Sequence, residues 1–105
     1  MIATEQQVQR GVINYIENEI AVKATGVKKF GIYFLMPVLD KKVLDYLEMI
    51  KKIAPDLFTE DGHIKVGDMY NFAKSAINKS GQFEYLGIIF NETDIDKLYV
   101  HIKGV

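Results

Sequence analysis

The chain contains no cysteine and no tryptophan, two prolines, two histidines and a single arginine, Arg10, in 105 residues. Without cysteine there is neither a disulfide framework nor a thiol nucleophile, and thiolate metal ligation is excluded. The histidines are His63, in a predicted turn, and His101, near the end of a predicted helix. Neither has a hydroxyl, a second ligand or a paired carboxylate at a spacing that builds a site. Long apolar runs are also missing. The longest, Phe30 to Leu39, is ten residues and is interrupted by Pro37, whereas a membrane span needs about 20. The first residues have neither the basic start nor the apolar core of a signal peptide. The expectation is therefore a soluble, cytoplasmic protein without a membrane association.

What remains is globular in character. The chain is 49% hydrophobic, 26% charged and 11% aromatic, enough for one domain over residues 1–105 without a disulfide or zinc staple. Thirteen Lys and Arg against fourteen Asp and Glu give a net charge of −1. That balance argues against a DNA-coating protein and against an anionic-membrane binder. Local patches can still override it.

Thr4 is placed to cap a first helix, with Gln7 completing a capping box. Val8, Val12, Tyr15, Ile16 and Ile20 recur at helical spacing. Gly11 costs that helix about 1 kcal/mol relative to Ala, and Gly26 is a natural stop. Val27 to Leu39 is ambiguous. Phe30, Ile32, Tyr33 and Phe34 favour a strand, while Thr25 as a cap and the absence of apolar–polar alternation favour a helix. Either way the segment reads as core. Asp40 caps the strongest predicted helix, Lys41 to Ala54, which Pro55 closes. Its apolar residues cover an arc of roughly 220°, where a helix lying on one side of a core needs about 100°. Lys41–Asp45 and Glu48–Lys52 are set for ion pairs at four-residue spacing. This helix is thus either central or lends its Tyr46–Met49–Ile53 edge to another chain.

A further helix is expected from Val66 or Asp68 to Lys79, stopped by Gly81. Gln82 to Phe90 is strand material, with Gly87 marking a bulge or tight hairpin. Thr93 then caps a last helix carrying the stripe Ile95, Leu98, Tyr99 and Ile102. The fold class expected is α+β, mostly helical. Four to five helices accompany one small antiparallel hairpin or sheet near the C-terminus.

Motif by motif, chemistry is scarce. Residues Leu57 to Asp68 have the Gly and Ile of a calcium loop at positions six and eight, but Leu57 replaces the lead Asp and Asp68 the bidentate Glu. Gly26–Gly31 and Gly62–Gly67 have a Walker spacing without the Lys and Ser/Thr that would follow. Asn78-Lys79-Ser80 and Asn91-Glu92-Thr93 match the glycosylation pattern but mean nothing without a secretory signal. No catalytic, cofactor-binding or metal-binding residue is assigned. The pairs Lys28-Lys29, Lys41-Lys42 and Lys51-Lys52, with Lys74 and Lys79, are more plainly solvated lysines than a nucleic-acid surface. Two helices followed by a strand pair loosely suggest a winged helix, whose recognition helix would offer Asn71, Lys74, Ser75, Asn78 and Lys79. It has no arginine to read guanine. Most of the twelve Tyr and Phe belong to core stripes, with Tyr46, Tyr85 and the Phe30–Phe34 cluster the ones placed to reach an interface.

Three stretches together resemble small uncharacterised proteins encoded in phages and prophages of Gram-positive bacteria. They are Gln7-Val8 through Gly11-Val12 to Tyr15-Ile16, Ile64-Lys65-Val66 through Tyr70, and Asn91-Glu92-Thr93-Asp94-Ile95-Asp96-Lys97-Leu98-Tyr99. The resemblance implies an accessory or assembly protein and transfers no catalytic residue. Three functions follow as expectations: a non-enzymatic interaction module, with a protein partner or a second copy of itself; a winged-helix DNA-binding regulator; and a small enzyme built on carboxylates and tyrosine.

Overall fold

A computed structural model of the chain describes residues 1–80, 83–85 and 88–104, with side chains described outside residues 80–90. The protein is mostly helical. The elements among the described residues are β1 (Ile2–Ala3), α1 (Glu5–Tyr15), α2 (Gly26–Phe34), α3 (Met36–Ile53), β2 (Ile64–Lys65), α4 (Val66–Ser80), β3 (Phe83–Tyr85), β4 (Ile88–Phe90) and α5 (Glu92–Lys103). Two two-stranded sheets are described where a single one near the C-terminus is expected. The sheet that enters the core joins the N-terminus to the middle of the chain, with Ile2 opposite Lys65 and Ala3 opposite Ile64. Two-residue strands are too short to show a period of two, so no pattern announces them. Separately, β3 and β4 pair antiparallel, Phe83 opposite Phe90 and Tyr85 opposite Ile88. The expectations for Gly81, Gln82 and Gly87 lie outside the described residues.

α1 begins at the capping box read from the sequence: the Thr4 hydroxyl accepts from the Gln7 amide at 3.1 Å, and the Gln7 side chain accepts from the Thr4 amide at 2.8 Å. It does not run to Gly26. After Tyr15 the backbone widens into a π turn, Ile16–Ile20, and tightens into a 3-10 turn, Ala21–Lys23. This irregular stretch lets Tyr15, Ile16, Ala21 and Ala24 all face inward. Gly26 opens α2 instead of closing α1, in the left-handed region at φ 60°.

The ambiguous segment is helical but broken. Leu35, with ψ −2°, separates α2 from α3, and Pro37 falls in the first turn of α3, where its missing donor costs nothing. α3 therefore starts five residues before Lys41, and Asp40 is inside it, its carbonyl accepting from Gln9 of α1 at 3.1 Å. Nor is the segment core. Only Ile32 and Leu39 are buried, whereas Val27, Phe30 and Phe34 are 88%, 72% and 74% exposed. Among the described residues the ion pairs expected along α3 do not close. α5 starts one cap earlier than expected, with Asn91 and Asp94 forming a box in place of Thr93.

Two buried clusters meet along α1. One gathers Ala3, Val8, Leu47, Phe58, Ile64, Val66 and Ile102. The other gathers Tyr15, Ile16, Ala21, Ala24, Ile32 and Leu39, and Val12 and Leu98 pack on both. α5 lies antiparallel on α1 at very close range. A Cβ on Gly11 would stand 2.5 Å from Ile102 Cγ1 and 2.8 Å from its Cα. Gly11 is thus the contact that lets the helices touch, and the backbone of α5 cannot step aside as a side-chain tip can. Gly11→Ala is expected to destabilise the protein by about 1–3 kcal/mol through overpacking, although the same change in an open helix would stabilise it by about 1 kcal/mol. Urea unfolding of the variant checks the sign.

Candidate interaction surface

The groups with chemistry gather on the seams of α5. Tyr15, 1% exposed, donates from its hydroxyl to Asp94 Oδ1 at 2.6 Å. Burial, and then the Asp94 carboxylate, push its phenol well above the ordinary tyrosine value of 10.0. The His101 and Tyr15 rings meet edge to face, with centroids 6.1 Å apart. Glu19, carried there by the π turn, lies 3.5 Å from Lys97 and 3.6 Å from His101. On the other side of α5 the Tyr70 hydroxyl donates to Asp96. Lys74 stands 3.1 Å from the Tyr70 oxygen and 3.2 Å from both Glu92 and Asp96. These partners, Tyr70 first, hold Lys74 charged beyond the ordinary lysine range and Asp96 below the ordinary carboxylate range. The Tyr99 and Tyr70 rings pack with centroids 4.4 Å apart, tilted by 32°, and the Lys103 ammonium sits over the Tyr99 ring at 4.7 Å.

Beside this network lies a cavity of about 70 Å³, lined by apolar residues including Val8, Leu47, Ile64, Met69 and Ile102, with Tyr70 and Tyr99 at its wall. Known small-molecule sites run from about 300 Å³ upward. Among the described residues no carboxylate lines the cavity; Asp94 and Asp96 are engaged by Tyr15 and Tyr70. The calcium-like loop is a turn. The Thr59 amide donates to the His63 carbonyl at 2.8 Å and Gly62 supplies φ 82°. Among the described residues, no three of His, Asp or Glu converge.

The residues of the DNA reading all lie on α4. Asn71, Ser75, Asn78 and Lys79 are exposed, whereas Lys74 turns to α5 and is neutralised between two carboxylates. α4 packs on α5 rather than forming a helix-turn-helix pair with α3.

The apolar surface is the larger feature. Tyr46, Met49 and Ile53 stand on one side of α3, 38%, 49% and 67% exposed, while Leu47, turned away from them, is buried. Leu39, one heptad before Tyr46 on the same side, is covered as part of the second buried cluster. Upstream, Val27, Phe30, Tyr33 and Phe34 make a second outward stripe on α2, continued by Val38. Phe30 and Phe34 stack on each other with centroids 6.3 Å apart. Sequence reasoning found the α3 edge through its overwide arc. It left the α2 face open, reading the segment as core and the Phe30–Phe34 cluster as placed to reach an interface, because an apolar helix turned outward has the same pattern as one turned in. Tyr85, also weighed for an interface, has its side chain outside the described part of the chain.

Comparison of the chain with protein-family models, curated proteins and solved structures finds no match. Tyr15 offers the direct check on this electrostatic description. A phenol whose pKa rises on folding stabilises the protein fully below about pH 10 and loses that contribution as pH climbs further. Tyr15→Phe is expected to cost about 1–3 kcal/mol at neutral pH. The gap to the parent protein should shrink above about pH 10, as measured by urea unfolding at both pH values. A gap independent of pH would contradict the assignment.

Proposed function

We propose that the protein is a non-enzymatic interaction module that assembles with a second copy of itself through the outer edge of α3. One observation carries this reading. Tyr46, Met49 and Ile53 form an exposed apolar stripe, flanked by Asp45 and Lys52, neither of which makes an ion pair within the described chain. Placed antiparallel about a twofold axis near residues 47 and 48, two α3 helices set Tyr46 of one copy against Met49 of the other. The same placement brings Asp45 within reach of Lys52 of the second copy, twice over. A twofold contact needs this self-complementarity. Tyr70 and Lys74 of α4 and Asp94, Asp96 and Lys97 of α5 are occupied in holding helices together, which favours a binding role over an enzymatic one. The resemblance to phage and prophage proteins fits an accessory or assembly role.

Met49→Lys is expected to give a folded monomer where the parent protein sediments as a dimer. Reversing Asp45→Lys should weaken the dimer, and adding Lys52→Asp should restore it. A parent protein that remains monomeric at high micromolar concentration would end this reading. An unfolded Met49→Lys chain would place the edge in the core, since an unpaired charge cannot be buried there.

A further inference from the structure

The face of α2 is apolar, convex and bordered by charge of one sign. Residues 20–39 contain Lys23, Lys28 and Lys29 and no Asp or Glu, while the rest of the chain holds ten Lys and Arg against fourteen acids. At 100° per residue, Tyr33, Phe30, Phe34 and Val27 cover an arc of roughly 120°, and Ile32 lies nearly opposite its middle. Ile32 is the buried residue of the helix, so the apolar arc points away from the protein. Lys28 and Lys29 fall on the two flanks between that arc and Ile32, Lys29 close beside the arc and Lys28 nearer to Ile32, and both are exposed.

We propose that α2 is an interfacial helix that lies on an anionic lipid bilayer, with Val27, Phe30 and Phe34 in the acyl boundary and the lysines at headgroup level. A short helix with aromatic residues on one face and lysine at its margins is what such an interface takes up, and anionic headgroups match the local positive charge. No helix among the described residues is long and apolar enough to cross a membrane, and α2, nine residues long, spans only about 14 Å. Its geometry suits lying in the plane. A protein partner would need a groove shaped to rings that stand 72% and 74% exposed, whereas a bilayer conforms to them. The net charge of −1 does not oppose this, because the acids are elsewhere and attraction falls off within about 10 Å at ordinary salt.

Flotation of the full-length protein with vesicles decides the matter, using phosphatidylcholine alone and phosphatidylcholine mixed with phosphatidylglycerol. The protein should float with the anionic vesicles, less with the neutral ones, and less again as salt is raised. Phe30→Ser with Phe34→Ser should abolish flotation. Lys28→Glu with Lys29→Glu should reduce it by about tenfold or more. All four residues are exposed, so both variants should keep the parent circular dichroism. Met49→Lys should float like the parent, which separates this surface from the α3 edge. No flotation with anionic vesicles at low salt would overturn the proposal. So would flotation indifferent to both double variants. If the Phe variant instead lost self-association while the parent never floated, α2 would belong to a second copy and not to lipid.

Discussion

The close approach of α1 and α5 at Gly11 is the constraint on which the other contacts depend. With the helices touching through Gly11 and Ile102, the Tyr15 hydroxyl reaches Asp94, one turn into α5. Glu19 reaches Lys97 and His101 in the same way. Val12 and Leu98 then bridge the two buried clusters into one continuous interior. Once α5 is seated, its far side presents Tyr99 and Asp96 to α4, and the Tyr70–Lys74 network closes over the cavity. Separating α1 from α5 by the width of one methyl group would lengthen each of these contacts together.

That arrangement divides the molecule's resources. Titratable side chains are concentrated along α5, where they pair across helix seams, and the hydrophobic residues of α1, β1, β2 and α5 fill the interior. α2 and the outer side of α3 keep apolar residues that the interior does not use. A chain of this size cannot cover α3 from every side, and α2, attached through a bend at Leu35, turns its aromatic face outward instead of wrapping over Tyr46, Met49 and Ile53. Exposed contiguous apolar surface of this kind marks a place of contact in a folded protein.

Much of this was legible in the residues where a local rule determines the outcome. Thr4 and Gln7 satisfy each other as a capping box whatever the tertiary context, and the overwide arc of α3 meant that some of it had to face outward. The failures are equally local in origin. Asn91 and Thr93 can both cap, each with an Asp three residues on; Asp94 returns to the Asn91 amide at 2.8 Å, whereas Asp96 is drawn to Tyr70 and Lys74 of α4, a contact the local sequence does not show. Gly11 reads as a cost until its opposite number, Ile102, is known to lie against it. Periodicity marks which face of α2 is apolar but carries no sign for in or out, so the segment reads as core while its Phe30–Phe34 cluster reads as placed for an interface. The pairing of Ala3 with Ile64 depends on a contact between residues distant in sequence, and nothing in a two-residue strand encodes its partner.

Native-state hydrogen exchange tests the account most directly, because it ranks the helices by what holds them. If the α1–α5 contact is the constraint that the rest depends on, amides from Val12 to Tyr15 and from Leu98 to Ile102 will exchange only through global unfolding. Amides of α2, anchored by Ile32 alone, will exchange through a smaller local opening. Equal protection of α2 and α1, or the early loss of α5 while α2 stays closed, would contradict it.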